Sequence, residues 1–268
     1  MNPITAPIIE KWYKKLNIDS KFNAEFYQAL NTISIDPDTN ESNYDVDCPD
    51  GKKNLLAVLY MCEALEAKYK AAGISEEILL DSLWDVVRWL NIWSEVKGEM
   101  YMGEVHWVMR IMRFALFKLG RLQYNIVQVP DDFAKFGLTP GDYMIGIHIP
   151  PCGPLNFEDC KESIQMAKEF FAKYFPDAHY THFSCNSWLL DGTLKEFLPP
   201  QSNILKFASL FTIVHNEPAD DIIRFMFGWD CTKDHPEKWK VTSGFSQRIK
   251  DAILSGKTFY LSRGLFEK

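Results

Sequence analysis

The chain has no dense cluster of lysine and arginine, although its 268 residues include 29 basic and 36 acidic side chains. The formal net charge of -7 argues against a surface that follows the phosphates of DNA or RNA. Nucleic acid is therefore not expected as a partner. A phosphate-bearing small molecule still fits, because a few backbone N–H groups and one or two cations can hold phosphates on an acidic protein.

Long apolar runs and paired cysteine motifs are missing as well. No apolar stretch approaches the roughly 20 residues that cross a bilayer, so no membrane partner is expected. The six cysteines include no C-x-x-C pair, and the first residues lack the apolar core of a secretory signal. These patterns predict free thiols in a soluble protein of the reducing cytoplasm.

Helical periodicity dominates the first part of the chain. Two apolar stripes recur every three to four residues, formed by Leu55, Val58, Cys62, Leu65 and Tyr69, and by Leu79, Leu83, Val86, Leu90 and Trp93. A third helix is expected over about 104–119, and Gly120 would end it. Residues 1–120 are therefore predicted to form an all-helical N-terminal domain.

After Gly120 the pattern changes to short apolar strands that alternate with helices. Strands are expected at 122–127, 143–149, 180–186, 211–216, 222–227 and 258–262, and helices at about 156–174, 202–210 and 243–255. The predicted fold class is thus α+β, in which the helical domain is followed by a mixed α/β domain over residues 121–268.

The segment 142–190 reads as strand, turn, helix, strand. An apolar run ends at His148 and Ile149, a turn rich in proline and glycine follows, and Asn156 is placed to cap the next helix. Backbone N–H groups in such a turn, together with the helix dipole, stabilise a bound anion. The candidate phosphate-binding residues are Cys152, Gly153, Pro154, Leu155 and Asn156. A plain connection without a ligand is equally consistent with this loop length.

His148 lies at the carboxyl end of the predicted strand, where open α/β sheets place their ligands. It is a candidate general base, because histidine titrates near neutral pH. Cys185, with Ser187 beside it, is an alternative catalytic centre, in which a thiol nucleophile would use His148 or His215 as its base. A single cysteine on an apolar strand is more often a small buried side chain.

No metal site is expected. His179, His182 and Cys185 have a ligand-like spacing, but residues three apart on a strand point to opposite faces and cannot converge on one ion. His215 and Glu217 would share a face, either as a base with an orienting carboxylate or as an exposed strand end.

Arg121, Gln123 and Arg224 are polar residues in or beside predicted apolar strands. Each needs a partner, because burying an unpaired polar group is costly. A buried ion pair or a bound ligand would supply that partner.

Several short strings in the second half carry a family resemblance. They are Gly120–Gln123, His148–Pro150, Gly153–Leu155 with Cys160 and Ser163, Cys185–Leu190, Pro200–Ile204, Thr242–Ser243 and Gln247–Arg248. In these strings the chain resembles a family of bacterial acyltransferase domain-containing proteins. Members have a helical N-terminal domain and a C-terminal domain like that of the GNAT acyltransferases. The resemblance covers about the last 150 residues specifically, and the earlier residues only as a helical companion.

The resemblance implies an acyl-CoA-dependent N-acyltransferase that transfers an acyl group directly to the amine of a small molecule or peptide. Acyl-CoA or acetyl-CoA would be the co-substrate, with its pyrophosphate at residues 152–156. His148 would act as the base, and residues 185–187 would line the acceptor side. Neither the acceptor nor the oligomeric state follows from the sequence.

The turn departs from the family pattern, since the usual Arg/Gln-x-x-Gly-x-Gly/Ala sequence is replaced by Pro151-Cys152-Gly153-Pro154. Two alternatives follow from the residues. One is a non-catalytic binding module on a GNAT-like scaffold, and the other is a cysteine-dependent hydrolase that uses Cys185.

Overall fold

The computed structural model describes residues 2–268, except for the side chain of Asp132. The chain divides into two compact units, one up to Lys118 and the other from Leu119 on. Across the described residues, helices long and apolar enough to cross a membrane are absent.

Five α-helices build the first unit: α1 (Thr5–Lys15), α2 (Asn23–Thr32), α3 (Gly51–Ala72), α4 (Glu76–Lys97) and α5 (Val105–Met112). Helix α3 is central, because it contacts each of the other four. The predicted stripe on α3, from Leu55 to Tyr69, is buried throughout. Burial of this stripe is the main source of stability that the unit's sequence offers.

Local signals set the ends of the two long helices. The Asp50 carboxylate accepts hydrogen bonds from the backbone N–H groups of Lys52 and Lys53 at the start of α3. Gly73 ends that helix with a φ of 69°, a left-handed conformation that glycine adopts without strain. The Ser75 hydroxyl caps α4 by accepting from the N–H of Ile78.

The third predicted helix is shorter than expected. It ends at Met112, because Phe114 adopts a left-handed φ of 58° that a helix cannot continue through. The apolar run beyond it forms a strand, β1 (Phe117–Leu119). Gly120, with a φ of 66°, forms the turn that follows β1 and does not end a helix.

The second unit contains a six-stranded sheet with helices around it. The further strands are β2 (Leu122–Gln128), β3 (Tyr143–His148), β4 (Tyr180–Ser187), β5 (Thr212–Pro218) and β6 (Tyr260–Glu267). The helices are α6 (Phe157–Tyr174), α7 (Asn203–Ala208), α8 (Asp221–Phe227) and α9 (Gly244–Leu254). Short 3₁₀ turns occupy Asp131–Phe136, Trp188–Leu190, Gly192–Glu196 and Pro236–Lys238.

The strand order in the sheet is β1-β2-β3-β4-β6-β5. Strands β3 and β4 are parallel and are joined by α6, whereas the β2–β3, β4–β6 and β5–β6 pairs are antiparallel. A parallel pair inside a largely antiparallel sheet places two carboxyl ends side by side near its centre. The sheet therefore has one natural place for a ligand.

The prediction of a strand at 222–227 is wrong, because this segment forms the helix α8. Ile223 and Phe227, four residues apart, pack into a core cluster together with Trp239 and Ile249. A short apolar run with β-branched residues fits both a strand and a buried helix. In this segment, tertiary packing selects the helix.

The two faces of the sheet differ in what covers them. Helix α6 packs on one face, where the Tyr124 hydroxyl lies 2.9 Å from the Ser163 hydroxyl and the Phe171 ring meets Tyr180. The other face is covered near the start of β3 by a small cluster formed by Val129, Phe133, Leu138, Met144 and Leu265. Beyond this cluster, towards the end of β3, that face carries polar side chains.

Strand β5 lies at one edge of the sheet and is largely exposed. Its pairing with β6 shifts by one residue between Ile213 and His215, which indicates a β-bulge. At the opposite edge, β1 has only three residues.

Candidate functional site

The parallel pairing of β3 and β4 ends before the strands do. It runs from Tyr143 opposite Tyr180 to Ile147 opposite Cys185. Beyond that point β3 continues its pairing with β2, and β4 continues with β6 as far as Ser187. The two strands thus stop pairing with each other at their carboxyl ends, which is the position where open sheets bind their ligands.

A row of polar side chains crosses the sheet at this level. The registers place Gln123 opposite His148, Asn186 opposite Arg263, and Arg263 opposite His215. His148 and Asn186 lie two residues after Gly146 and Ser184, which are paired with each other, so they share the same face. We call Gln123, His148, Asn186, Arg263 and His215 the polar row. All five side chains lie on the face opposite to α6.

The imidazole of His148 is oriented by an amide. Its Nε2 lies 2.9 Å from Oδ1 of Asn125, and the amide nitrogen of Asn125 donates to the carbonyl of Ile126 at 3.3 Å. Since an amide oxygen only accepts, Nε2 must carry the proton and donate it. The neutral ring then has its lone pair on Nδ1, which is the atom that can accept a proton.

Gly146 makes room for this arrangement. It lies opposite Asn125 in the register, and a Cβ at this position would be 2.5 Å from Oδ1 of Asn125. Any larger residue would therefore displace the amide that holds His148. The absence of a side chain at residue 146 is a requirement of the site.

The turn after β3 is fixed by a single guanidinium. Arg121 donates to the carbonyls of Pro150, Gly153 and Pro154, at 2.8, 3.1 and 3.2 Å. Charge-assisted hydrogen bonds of this kind are stronger than those between neutral groups. The partner expected for Arg121 is thus neither an acidic side chain nor a ligand but the backbone of the turn.

Three backbone donors near the turn remain available. The N–H groups of Gly153, Leu155 and Phe157 make no hydrogen bond in the part of the chain that the structure describes. By contrast, the N–H of Asn156 donates to the carbonyl of Pro154. As predicted, Asn156 caps α6, and its side chain accepts from the N–H of Glu158 at 3.0 Å. The available donors lie at the positive end of the α6 dipole, which favours an anion.

Cys185 lies on the opposite face of the sheet from His148. It is 2% exposed, opposite Ile147 and Gly264, and burial raises the pKa of its thiol to about 12. The thiol is therefore neutral at physiological pH and poorly suited to act as a nucleophile. Ser187 begins the turn after β4, where its hydroxyl accepts from the N–H of Leu189.

The histidines around β4 do not converge. His182 lies opposite Glu267 and donates to or accepts from the adjacent Thr181 hydroxyl, whereas Cys185 lies on the opposite face. In the described residues no group of three potential ligands could hold a metal ion.

Sequence reasoning missed two residues of the site, Asn125 and Arg263. Both are polar residues inside strands. A polar residue in or beside an apolar strand is also the feature that singles out Gln123 and Arg121 in the sequence. Their relation to His148 depends on strand register, which no local pattern specifies.

Two family models match the chain. One, described as an N-acyltransferase N-terminal domain, matches residues 5–114. The other, described as a GNAT-like C-terminal domain, matches residues 116–266, which is more than half of the chain. The chain belongs to the GNAT-like C-terminal domain family. The resemblance inferred from the sequence is thereby confirmed, as is the fold class of a helical part followed by a GNAT-like mixed α/β domain.

Solved acyltransferase structures share this fold. One in complex with decanoyl-CoA is 27% identical, with a TM-score of 0.70, and the match covers 80% of this chain and 65% of that one. Another, in complex with CoA and 10C-teicoplanin, is 23% identical with a TM-score of 0.72, covering 80% and 66%. A third, in complex with decanoyl-CoA and teicoplanin, is 20% identical with a TM-score of 0.79, covering 96% and 87%.

The chain thus spans about two thirds of the length of the first two of these acyltransferases. Comparison with curated protein sequences gives no match.

Proposed function

We propose that this protein transfers an acyl group from an acyl-CoA thioester directly to an amine. The observation that carries the proposal is the end of the β3–β4 pairing, directly before His148 and the turn that Arg121 holds. Membership of the GNAT-like family supports it. So do the similar acyltransferases that were solved with decanoyl-CoA or CoA.

The turn and the start of α6 fit the phosphates of CoA. The N–H groups of Gly153, Leu155 and Phe157 provide donors, and the α6 dipole favours negative charge at this end. Arg121 binds three carbonyls of the turn, so their partial negative charge is compensated near the proposed phosphate. Prolines at 150, 151 and 154 supply no donors, so these three N–H groups would make the backbone hydrogen bonds to the phosphates.

Acyl-CoA supplies a thioester carbonyl carbon that an amine can attack. His148 would accept the proton of the attacking amine on Nδ1, because its Nε2–H is committed to Asn125. The C–N bond forms as the C–S bond breaks, and the sulfur leaves as thiolate. The polar face around His148 would receive the acceptor, a small-molecule or peptide amine.

We place this reaction in the cytoplasm. All six cysteines are free thiols, as is usual in a reducing compartment, and acyl-CoA is the proposed substrate.

The test separates binding from chemistry. Calorimetry with acetyl-CoA and decanoyl-CoA measures donor binding, and release of the CoA thiol in the presence of amines measures transfer. His148→Ala is expected to bind acyl-CoA as the wild type does and to lose 100-fold or more of the transfer rate, roughly the share of a general base. Arg121→Gln is expected to weaken acyl-CoA binding about tenfold or more, because the turn loses three charged hydrogen bonds.

Arg224→Gln is the matched control, since Arg224 is exposed and pairs only with Asp221 and the Trp229 ring. It should leave both measurements unchanged. If the wild type binds neither acetyl-CoA nor decanoyl-CoA at millimolar concentration, the acyltransferase proposal fails. The donor-poor, proline-rich turn then favours the non-catalytic binding module instead.

A further inference from the structure

Arg263 carries a half-buried guanidinium that has no acidic partner among the described side chains. It lies near the middle of β6, in the polar row, between Asn186 of β4 and His215 of β5. In the part of the chain that the structure describes, its guanidinium makes no ion pair and no hydrogen bond. Arg121 and Arg224, by contrast, both have oxygen partners.

The position of the Arg263 guanidinium is set by an aromatic ring. Its Cζ lies 5.5 Å from the centre of the Phe133 ring, and Phe133 is itself buried in the cluster that covers part of this face. A guanidinium over an aromatic face is held by a cation–π interaction that leaves its N–H groups available. Arg263 is thus oriented in advance for a planar group that accepts hydrogen bonds.

The surroundings of Arg263 favour an anion. Its cross-strand neighbours, Asn186 and His215, both offer N–H donors and are exposed. Glu217 and Glu267 lie on the same face, and neither forms an ion pair with Arg263 in the described part of the chain. A carboxylate matches the fork of N–H groups on an arginine in a bidentate manner.

The strand order sets the spacing between Arg263 and the proposed base. Strand β4 lies between β3 and β6, so the backbones at His148 and Arg263 are roughly 10 Å apart or more. Both side chains point to the same side of the sheet. The donors proposed for CoA lie in the turn that follows His148 along the chain.

We propose that Arg263 binds a carboxylate of the acceptor, so that the acceptor class is an amino acid or short peptide with a free carboxylate. Its amine would lie at His148 and its carboxylate at Arg263, within a span of one to three residues. This inference rests on the proposed acyl transfer. It makes Arg263 a specificity residue that acts on the acceptor and has no part in proton transfer.

The experiment compares matched acceptors. With decanoyl-CoA as donor, release of the CoA thiol is measured for glycine and for di- and triglycine, each as the free acid and as the C-terminal amide. The wild type is expected to prefer the free acid by about tenfold or more in kcat/KM, the size of effect that one charged contact gives. Most of that preference should appear in KM.

Arg263→Gln should abolish the preference by raising KM for the acids, with kcat for the amides and calorimetric decanoyl-CoA binding unchanged. Arg263→Lys should keep part of the preference, because it keeps the charge but loses the fork. Arg224→Gln is the control for removal of a positive charge. Melting temperatures of all variants establish that each one is folded.

Equal kcat/KM for acids and amides in the wild type would overturn the inference. A wild type that binds decanoyl-CoA but acylates neither the acids nor the amides would overturn it as well. A preference that survives in Arg263→Gln would overturn it too. Weaker decanoyl-CoA binding by Arg263→Gln would assign this arginine to the phosphates of the donor instead. A wild type that does not bind decanoyl-CoA at all would refute the proposed function itself, and that result is read separately by calorimetry.

Discussion

At the scale of single residues, the orientation of the candidate base His148 requires a glycine at position 146. Asn125 orients His148, and it fits only because residue 146 has no Cβ. A catalytic group is sensitive to displacements of about 1 Å in a neighbour that orients it. The glycine is therefore part of the proposed site, although it carries no functional group.

Gly146→Ala is expected to lower kcat about tenfold or more, because the new Cβ would push Asn125 away from His148. Binding of decanoyl-CoA, measured by calorimetry, should be unaffected. The matched control is Gly192→Ala, where an added Cβ would meet nothing within 4 Å. Wild-type kcat in folded Gly146→Ala would show that Asn125 does not position the base.

At the scale of secondary structure elements, the contact of α1 with α3 contains an ionic cluster around the buried carboxylate of Glu66. The carboxylate of Glu66 lies 2.6 Å from Nζ of Lys15, 3.4 Å from Lys11 and 3.3 Å from Lys70. The hydrogen bond from Lys15 is the largest cause that lowers the pKa of Glu66 to about 2. Because the ordinary value is 4.5, ionised Glu66 stabilises the folded state.

Through Glu66, the free energy of unfolding is expected to depend on pH. The contribution of Glu66 is fully present above about pH 4.5 and is lost as the pH falls towards about 2. Glu66→Gln is therefore expected to lower the free energy of unfolding by about 2 kcal/mol at pH 7, and by little near pH 2. Urea denaturation at both pH values measures the difference. Glu162→Gln, at an exposed site on α6, is the control, and an equal loss at both pH values would contradict the assignment.

Elements with strong local signals were predictable from sequence, and elements decided by packing were not. Helix α6 was expected at 156–174 and is found at Phe157–Tyr174, since its N-cap and its apolar period agree. The sequence of helix α8 predicts a strand, because its few apolar residues fit both periods. His148 could be found from its place at a strand end, whereas Arg263 is brought to the same face only by the order of β3, β4 and β6.

At the scale of the whole molecule, we propose that the two compact units are independently folding domains. Each has its own buried core, centred on α3 in the first unit and on the sheet in the second. Their sizes fall within the range of ordinary domains. Residue 120 was the boundary expected from sequence, while β1 crosses from one unit into the other.

A fragment of residues 115–268, which keeps β1, is expected to unfold in one cooperative thermal transition. A fragment of residues 122–268 lacks β1 and should melt at a lower temperature, because β2 loses its outer partner. Differential scanning calorimetry compares the two. Absence of a cooperative transition in both fragments would show that the second unit needs the first in order to fold.

The two edge strands have a consequence for behaviour at high concentration. An open sheet with exposed edges can recruit strands from other molecules and so begin to aggregate. Here β1 is too short to serve as a template, and β5 combines a bulge at Ile213 with a charge at Glu217 and an N–H-lacking Pro218. These are devices by which natural sheets resist edge-to-edge association. Replacing Pro218 and removing the bulge would therefore leave an edge strand that can pair with other molecules and start fibril formation.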